Sequence, residues 1–248
     1  MNSLAFSKKR APQRRLLVIN PNTNPTVTQR VRKVAEAIVT PQTSVSVVNP
    51  AEGPFSIETV AHRHAAEPRV LDLVRHTLNN RYDAYVFACF DDIALFETRA
   101  MTGVPVVGTC EAGIAAARTM GARFSIITTV HAAVPGIHRL LARYGAADIC
   151  TVRAAGVGVA AAAGGDSDTE RLILSAVRAA VDQDGAKAIL LGSGGLTGRA
   201  NDLEQQFGLP VIDGVAAAIK MAEGLASLRG HDHEPCSSKV DAESEPSP

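Results

Sequence analysis

From Leu16 onward, short apolar runs alternate with longer stretches of helical spacing. That alternation predicts βαβ units and a parallel sheet. The runs are LLVIN from Leu16, SVSVV from Ser44, AYVFAC from Ala84, PVVG from Pro105, FSIITT from Phe124, ICTV from Ile149, AILLG from Ala188 and PVID from Pro210. AYVFA and AILLG are unbroken, as strands are when helices cover both faces of a sheet. Between the first two runs, Val27, Val31, Val34, Ala35 and Ile38 share one face of a helix expected over Thr26 to Val39. The expected fold class is therefore α/β.

The chain also repeats itself. One buried strand ends at Cys89, an amphipathic stretch follows, and Gly103-Val104-Pro105 opens the next strand; Ser193 and Gly208-Leu209-Pro210 stand in the same relation at nearly the same interval. Leu16 to Asn20 likewise corresponds to Phe124 to Thr128. Eight strands in one row are uncommon, so two similar four-stranded parallel-sheet halves are expected, residues 16–121 and 122–228, with the last helix free to pack back on the first half. Ligands of open parallel sheets sit beyond the carboxyl ends of the strands. Asn20, Cys89, Thr128 and Ser193 all occupy such ends. Two halves facing each other across a pseudo-twofold axis would set Cys89 and Ser193 on opposite sides of one ligand.

Composition narrows the classes. Lys and Arg number 25 against 25 Asp and Glu, a net charge of zero that argues against nucleic acid as partner. A 46% hydrophobic share supplies a substantial core. No apolar run approaches the ~18 residues of a membrane span. Four cysteines without a CxxC pair make neither a disulfide scaffold nor a zinc ribbon and suggest a reducing, cytoplasmic location. Residues 1–15 are basic without a signal-type apolar core and read as a disordered lead-in, a transit segment being the lesser alternative. Residues 229–248 read as a solvated tail.

Cys89 is followed by Phe90, Asp91, Asp92 and a helix-like stretch, which places its sulfur near a helix N-terminus, a position that lowers a thiol pKa. A neighbouring carboxylate would raise it, unless Asp91 or Asp92 serves as the helix N-cap. Cys110, Cys150 and Cys236 read as strand-exit, strand and tail residues. Buried cysteines are common in cores, but the strand-end position and the repeat favour a functional role for Cys89.

Gly192-Ser193-Gly194-Gly195 is a loop whose backbone N–H groups can approach a ligand and hold developing negative charge, a tight turn being the competing reading. No GK[ST] follows, so it is not a P-loop. Gly156 to Ala161 matches GxGxxA, but without a helical continuation or acidic partner it reads as a flexible loop running to Gly165. Asn20, Asn22 and Thr23, with Thr128 and Thr129, bring amides and hydroxyls to the mouths of the sheets, or act as turn and cap residues. His62 and His64 do not share a helical face, and no carboxylate motif joins His131 to His138. No metal site is legible.

Taken together, these residues resemble the aspartate/glutamate/hydantoin racemase superfamily, specifically its hydantoin and allantoin racemase branch. The likeness runs from about Leu16 to Leu228. It is carried by INPNT (Ile19 to Thr23), GPFSIE (Gly53 to Glu58), YDAYVFACFDD (Tyr82 to Asp92), VPVVG (Val104 to Gly108), RFSIITT (Arg123 to Thr129), LGSGGL (Leu191 to Leu196) and LPVIDGV (Leu209 to Val215). The superfamily's amino-acid racemases resemble one another in a CNT first motif and a GCTH second one. CFDD and GSGG here favour a ring-amide substrate over a free amino acid.

The resemblance implies a cofactor-independent racemase of 5-monosubstituted hydantoins or allantoin, a homo-oligomer acting on a small molecule. Racemisation without a cofactor needs a base on one face of the stereocentre, a conjugate acid on the other, and stabilisation of the enolate between them. Cys89 would be the thiolate base. N–H groups around Phe90 and Gly194 would hold the ring carbonyl oxygen, and Asn22, Thr23, Thr128 and Thr129 would orient the ring amides. Asn20, Asp91 and Gly195 complete the expected substrate-binding set.

Where the family's second motif has a cysteine, this chain has Ser193. A thiol, with a pKa near ~8.5, works as acid and base near neutrality, whereas a neutral alcohol is a weak acid and a poor base. No His or Lys stands beside Ser193 in sequence. Three readings follow: an engineered Cys-to-Ser exchange, a natural relative with one-sided chemistry, or a racemase in which another group or water replaces the thiol. Two others stand beside them. One is a single-cysteine decarboxylase resembling the arylmalonate type, which needs only one proton donor; the other is a small-molecule binder that kept the cleft and lost the chemistry.

Overall fold

The computed structural model describes residues 14–121 and 123–229. In chain order the first half holds β1 (Arg14–Ile19), α1 (Pro25–Ile38), β2 (Thr43–Val48), α2 (Val60–Thr77), β3 (Ala84–Phe87), α3 (Leu95–Met101), β4 (Val106–Gly108) and α4 (Thr109–Met120). The second holds β5 (Phe124–Thr128), α5 (Val134–Arg143), β6 (Cys150–Ala154), α6 (Val159–Gly164), α7 (Ser167–Asp182), β7 (Ala188–Leu191), α8 (Ala200–Phe207), β8 (Val211–Asp213) and α9 (Gly214–Leu228). The strands form two all-parallel sheets, ordered β2-β1-β3-β4 and β6-β5-β7-β8.

These elements follow from their residues. Leu16, Leu17, Val18 and Ile19 of β1 are fully buried, because helices cover both faces of the sheet and each such side chain contributes about 1.5–3 kcal/mol by leaving water. In α1, Asn24 accepts the Thr26 N–H as N-cap, Pro25 supplies a preset first turn, and Val27, Val31 and Ala35 face inward. Strand β1 begins two residues earlier than expected: Arg14 and Arg15 pair with Thr43 and Ser44 instead of belonging to a disordered lead-in. The rest of that lead-in, and the tail from residue 230 with Cys236, lie outside the described residues.

The halves exchange helices. Val215, Ala218, Ile219 and Ala222 of α9 pack with Leu16, Val18, Ala84 and Val86 of the first sheet. Cys110, Ile114 and Ala117 of α4 pack with Phe124, Ile126, Ala188 and Leu190 of the second. Close approach is required here, since a Cβ at Gly113 would lie 2.6 Å from Leu190.

Two local expectations are corrected. The segment read as a flexible loop from Gly156 to Gly165 contains α6. Its ends are satisfied from far away in sequence: Glu58 Oε1 accepts the Val159 N–H at 2.9 Å, and Arg30 Nε donates to the Ala163 carbonyl at 2.9 Å. In addition, the helix after Cys89 starts only at Leu95, behind a turn in which Asp92 and Ala94 take left-handed φ values of 48° and 62°. No helix among the described residues is long and apolar enough to cross a membrane.

Candidate active site

Strands β3 and β7 end alike. Ala88 N–H donates to Ile19 O at 2.9 Å, and Gly192 N–H donates to Ile127 O at 2.8 Å, so the next residues, Cys89 and Ser193, hold equivalent places in the two sheets. Both line one small cavity between the halves, together with Asn22, Phe90, Asp91, Thr128, Thr129 and Gly194. The two loops interlock across it. A Cβ at Gly192 would lie 2.4 Å from Ile126 and 3.5 Å from the Phe90 ring, and one at Gly194 would lie 3.8 Å from the Ala88 carbonyl oxygen. Of the two positions, only Gly192 excludes a side chain, because of Ile126; the contacts at Gly194 are ordinary van der Waals distances.

Three other expected contacts lie off this cavity. Asn20 is fully buried, and its amide donates to Asn22 Oδ1 and Thr28 Oγ1, each at 3.0 Å. It shapes the loop that carries Asn22. Thr23 N–H donates to Pro54 O at 3.0 Å, tying the first loop to the segment before α2. Gly195 is pressed against α6, where a Cβ would lie 2.6 Å from the Val159 carbonyl oxygen. Conversely, Ile57, Val130, Ala133 and Val159 line the cavity without having been expected there. Ile57 lies within the GPFSIE block and was within reach of sequence reasoning; Val159 was hidden by the unexpected α6.

Electrostatics at Cys89 also differ from expectation. Burial pushes its thiol well up, the Asp91 charge adds to this, and the Asp91 backbone N–H and the Arg63 charge only partly oppose it. With α3 beginning six residues on, its N-terminus is not the one beside the thiol. Asp91 does not cap α3; its Oδ1 pairs with Arg63 at 3.0 Å, both side chains about 15% exposed. Asp92 caps a different helix, accepting the N–H groups of Cys110 and Glu111 in α4 at 3.0 and 3.1 Å. Burial and the Asp91 charge therefore favour the neutral thiol of Cys89 over its thiolate.

Opposite it, Ser193 Oγ lies 3.1 Å from Thr129 Oγ1 and accepts the Gly195 N–H at 3.3 Å. Neither partner is a base that could activate the hydroxyl. The cavity is narrow, with a volume of about 30 Å³.

Residues 16–222 match the Asp/Glu/Hydantoin racemase family. The chain is 40% identical over 209 residues to the hydantoin racemase of Rhizobium meliloti, covering 84% of this chain and 87% of that one. It is 35% identical over 216 residues to the hydantoin racemase of Paenarthrobacter aurescens, covering 86% and 92%. Among solved structures, the allantoin racemase from Klebsiella pneumoniae superposes with a TM-score of 0.84 at 35% identity, covering 87% of this chain and 88% of that one. Sequence and structure agree: the chain belongs to the Asp/Glu/hydantoin racemase family, and is by that membership an isomerase of the racemase class.

Proposed function

We propose that the protein is a cofactor-independent racemase of 5-monosubstituted hydantoins or allantoin whose proton transfer is one-sided. The observation that carries this reading is the equivalence of Cys89 and Ser193 on opposite sides of one cavity. Cys89 exchanges a proton with the ring carbon on its own face. Backbone N–H groups of the Phe90 and Gly194 loops hold the enolate oxygen, and Asn22, Thr128 and Thr129 meet the ring amides. On the far face Ser193 offers a hydroxyl bonded to Thr129 and Gly195 with no base behind it, so inversion is slow where exchange is fast. Self-association and a cytoplasmic location belong to this reading; sedimentation of the purified chain reads the first.

Matched assays on 5-monosubstituted hydantoins, allantoin and arylmalonates test the substrate class. Exchange of the ring-carbon proton in the hydantoins or allantoin, with slower loss of optical rotation and no CO₂ released from malonates, supports the reading. CO₂ release without action on hydantoins replaces it with a single-cysteine decarboxylase. Ligand-induced thermal shift with neither reaction marks a binder.

A further inference from the structure

The two halves build the junction beside the site loop in different ways. Gly108 pairs with Phe87, two residues before Cys89, and Asp213 pairs with Leu191, two residues before Ser193. Gly108 and Asp213 thus hold equivalent places, and each is the N-cap of the helix that follows, α4 or α9. Asp213 caps its helix itself: Oδ1 accepts the N–H groups of Val215 and Ala216 at 2.9 and 3.3 Å. Its Oδ2 accepts the Gly198 N–H at 2.6 Å, from the loop that begins at Ser193.

Gly108 has no carboxylate to offer. The equivalent N–H groups, of Cys110 and Glu111, are bonded by Asp92, whose own N–H donates to the Cys89 carbonyl at 3.1 Å. Tyr144 of the second half adds its hydroxyl to Asp92 Oδ2 at 2.8 Å. A Cβ at Gly108 would lie 2.4 Å from Asp92 Oδ1, so the Asp92 carboxyl fills the space that a side chain on the strand end would take. To reach it, Asp92 adopts a left-handed φ of 48°, uncommon for a residue with a side chain. Each half therefore uses one buried carboxylate to tie its site loop to the neighbouring helix N-terminus, supplied from the strand end in one half and from the loop in the other.

We propose that Asp92 is a positioning residue for Cys89, standing in for the strand-end carboxylate missing at Gly108 and fixing the thiol-bearing loop against α4. The proposal rests on Cys89 as the proton-transfer group. Such a group loses rate steeply when displaced by an ångström.

Moving the carboxylate tests it. The variants are Asp92→Gly, which suits the left-handed backbone, and the double variant Asp92→Gly/Gly108→Asp, which rebuilds the second half's arrangement at a position whose extended φ of −88° accepts any residue. Readouts are kcat and KM on the hydantoin, site-resolved alkylation of Cys89 by iodoacetamide, and Tm. Asp92→Gly is expected to lower kcat roughly 10- to 100-fold with KM changed less than about threefold, and the double variant to recover most of that loss. Cys89 alkylation should change in the single variant and return in the double. A folded Asp92→Gly protein with wild-type kcat and alkylation overturns the proposal even if its Tm falls. So does a double variant that regains Tm but not kcat. If Asp92→Gly does not fold, Asp92→Asn carries the same kcat and alkylation comparison. Should the wild type act on no hydantoin, the functional reading fails, while the alkylation comparison still decides the role of Asp92.

Discussion

Thr129 and Ser193 hold their hydroxyl oxygens 3.1 Å apart at neighbouring strand ends of the second sheet. This pairing gives Ser193 a hydrogen-bond partner but no base. Restoring a thiol there is therefore expected to raise racemisation. A well-placed acid/base group contributes about 10²- to 10⁴-fold, so Ser193→Cys should gain at least roughly tenfold in inversion rate. Cys89→Ser should abolish exchange of the α-proton altogether. Polarimetry and proton NMR on the same samples check both, and full activity in Cys89→Ser would show the site to lie elsewhere.

The raised thiol sets a pH dependence. Cys89 is less ionised at any given pH than a free thiol, because burial and the Asp91 charge both oppose the thiolate. For the enantiomer on which it acts as base, kcat/KM should keep rising through and beyond the ordinary thiol range near ~8.5. Asp91→Asn removes one of the charges that raise the thiol and leaves Arg63, which lowers it, without its partner. Both effects shift the rising limb to lower pH. A limb that shifts upward in Asp91→Asn contradicts this electrostatic account.

The parts of the fold that were legible are those determined locally. Buried parallel strands announce themselves as runs such as AYVF and AILL, and the internal repeat alone brings Cys89 and Ser193 to matching strand ends. What escaped depends on distant residues. Helix α6 is an alanine-rich segment flanked by glycines, with little amphipathic signal; Glu58 and Arg30 at its two ends come from more than a hundred residues away. Cavity residues Ile57 and Val159 enter through that same contact. From the sequence either Asp91 or Asp92 could cap the nearer helix; nothing local reveals that Gly108 leaves the N-terminus of α4 without a side-chain cap, which Asp92 supplies.

Glu58 also ties the segment before α2 across the cleft, accepting the Val159 N–H at 2.9 Å while Ile57 beside it lines the cavity. Glu58→Ala is expected to speed hydrogen exchange of the Val159 amide by at least about tenfold, the loss of roughly 1.4 kcal/mol of protection, close to the lower end of the ~1.5–3 kcal/mol of a hydrogen bond to a charged group. Alkylation of Cys89 should quicken as well. Unchanged exchange at Val159 would show that this contact does not restrain the cleft.

A second tie between the halves is acid-labile. Glu223 in α9 accepts the Thr40 N–H at 2.8 Å, the Thr40 hydroxyl at 2.7 Å and the Lys220 ammonium at 2.5 Å. Burial alone would raise its carboxyl, but these partners overcome that and hold it down at about 2, below its ordinary 4.5. Its contribution to stability is therefore present above about pH 4.5 and disappears as pH falls through about 2. Glu223→Gln should lose about 1–3 kcal/mol at neutral pH, with the gap to wild type closing over that acid window. Denaturant titrations at several pH values measure it; a gap independent of pH contradicts the assignment.

The central claim, one working thiol facing an alcohol without a base, is tested most directly by solvent-deuterium exchange on the separate enantiomers of a 5-monosubstituted hydantoin and of allantoin, with chiral analysis and correction for the uncatalysed rate. The account predicts Cys89-dependent exchange that is fast in one enantiomer and proceeds mainly with retention, with inversion much slower. Equally fast exchange with inversion from both enantiomers would contradict it, because a second acid/base of matched strength would then have to stand at or near Ser193.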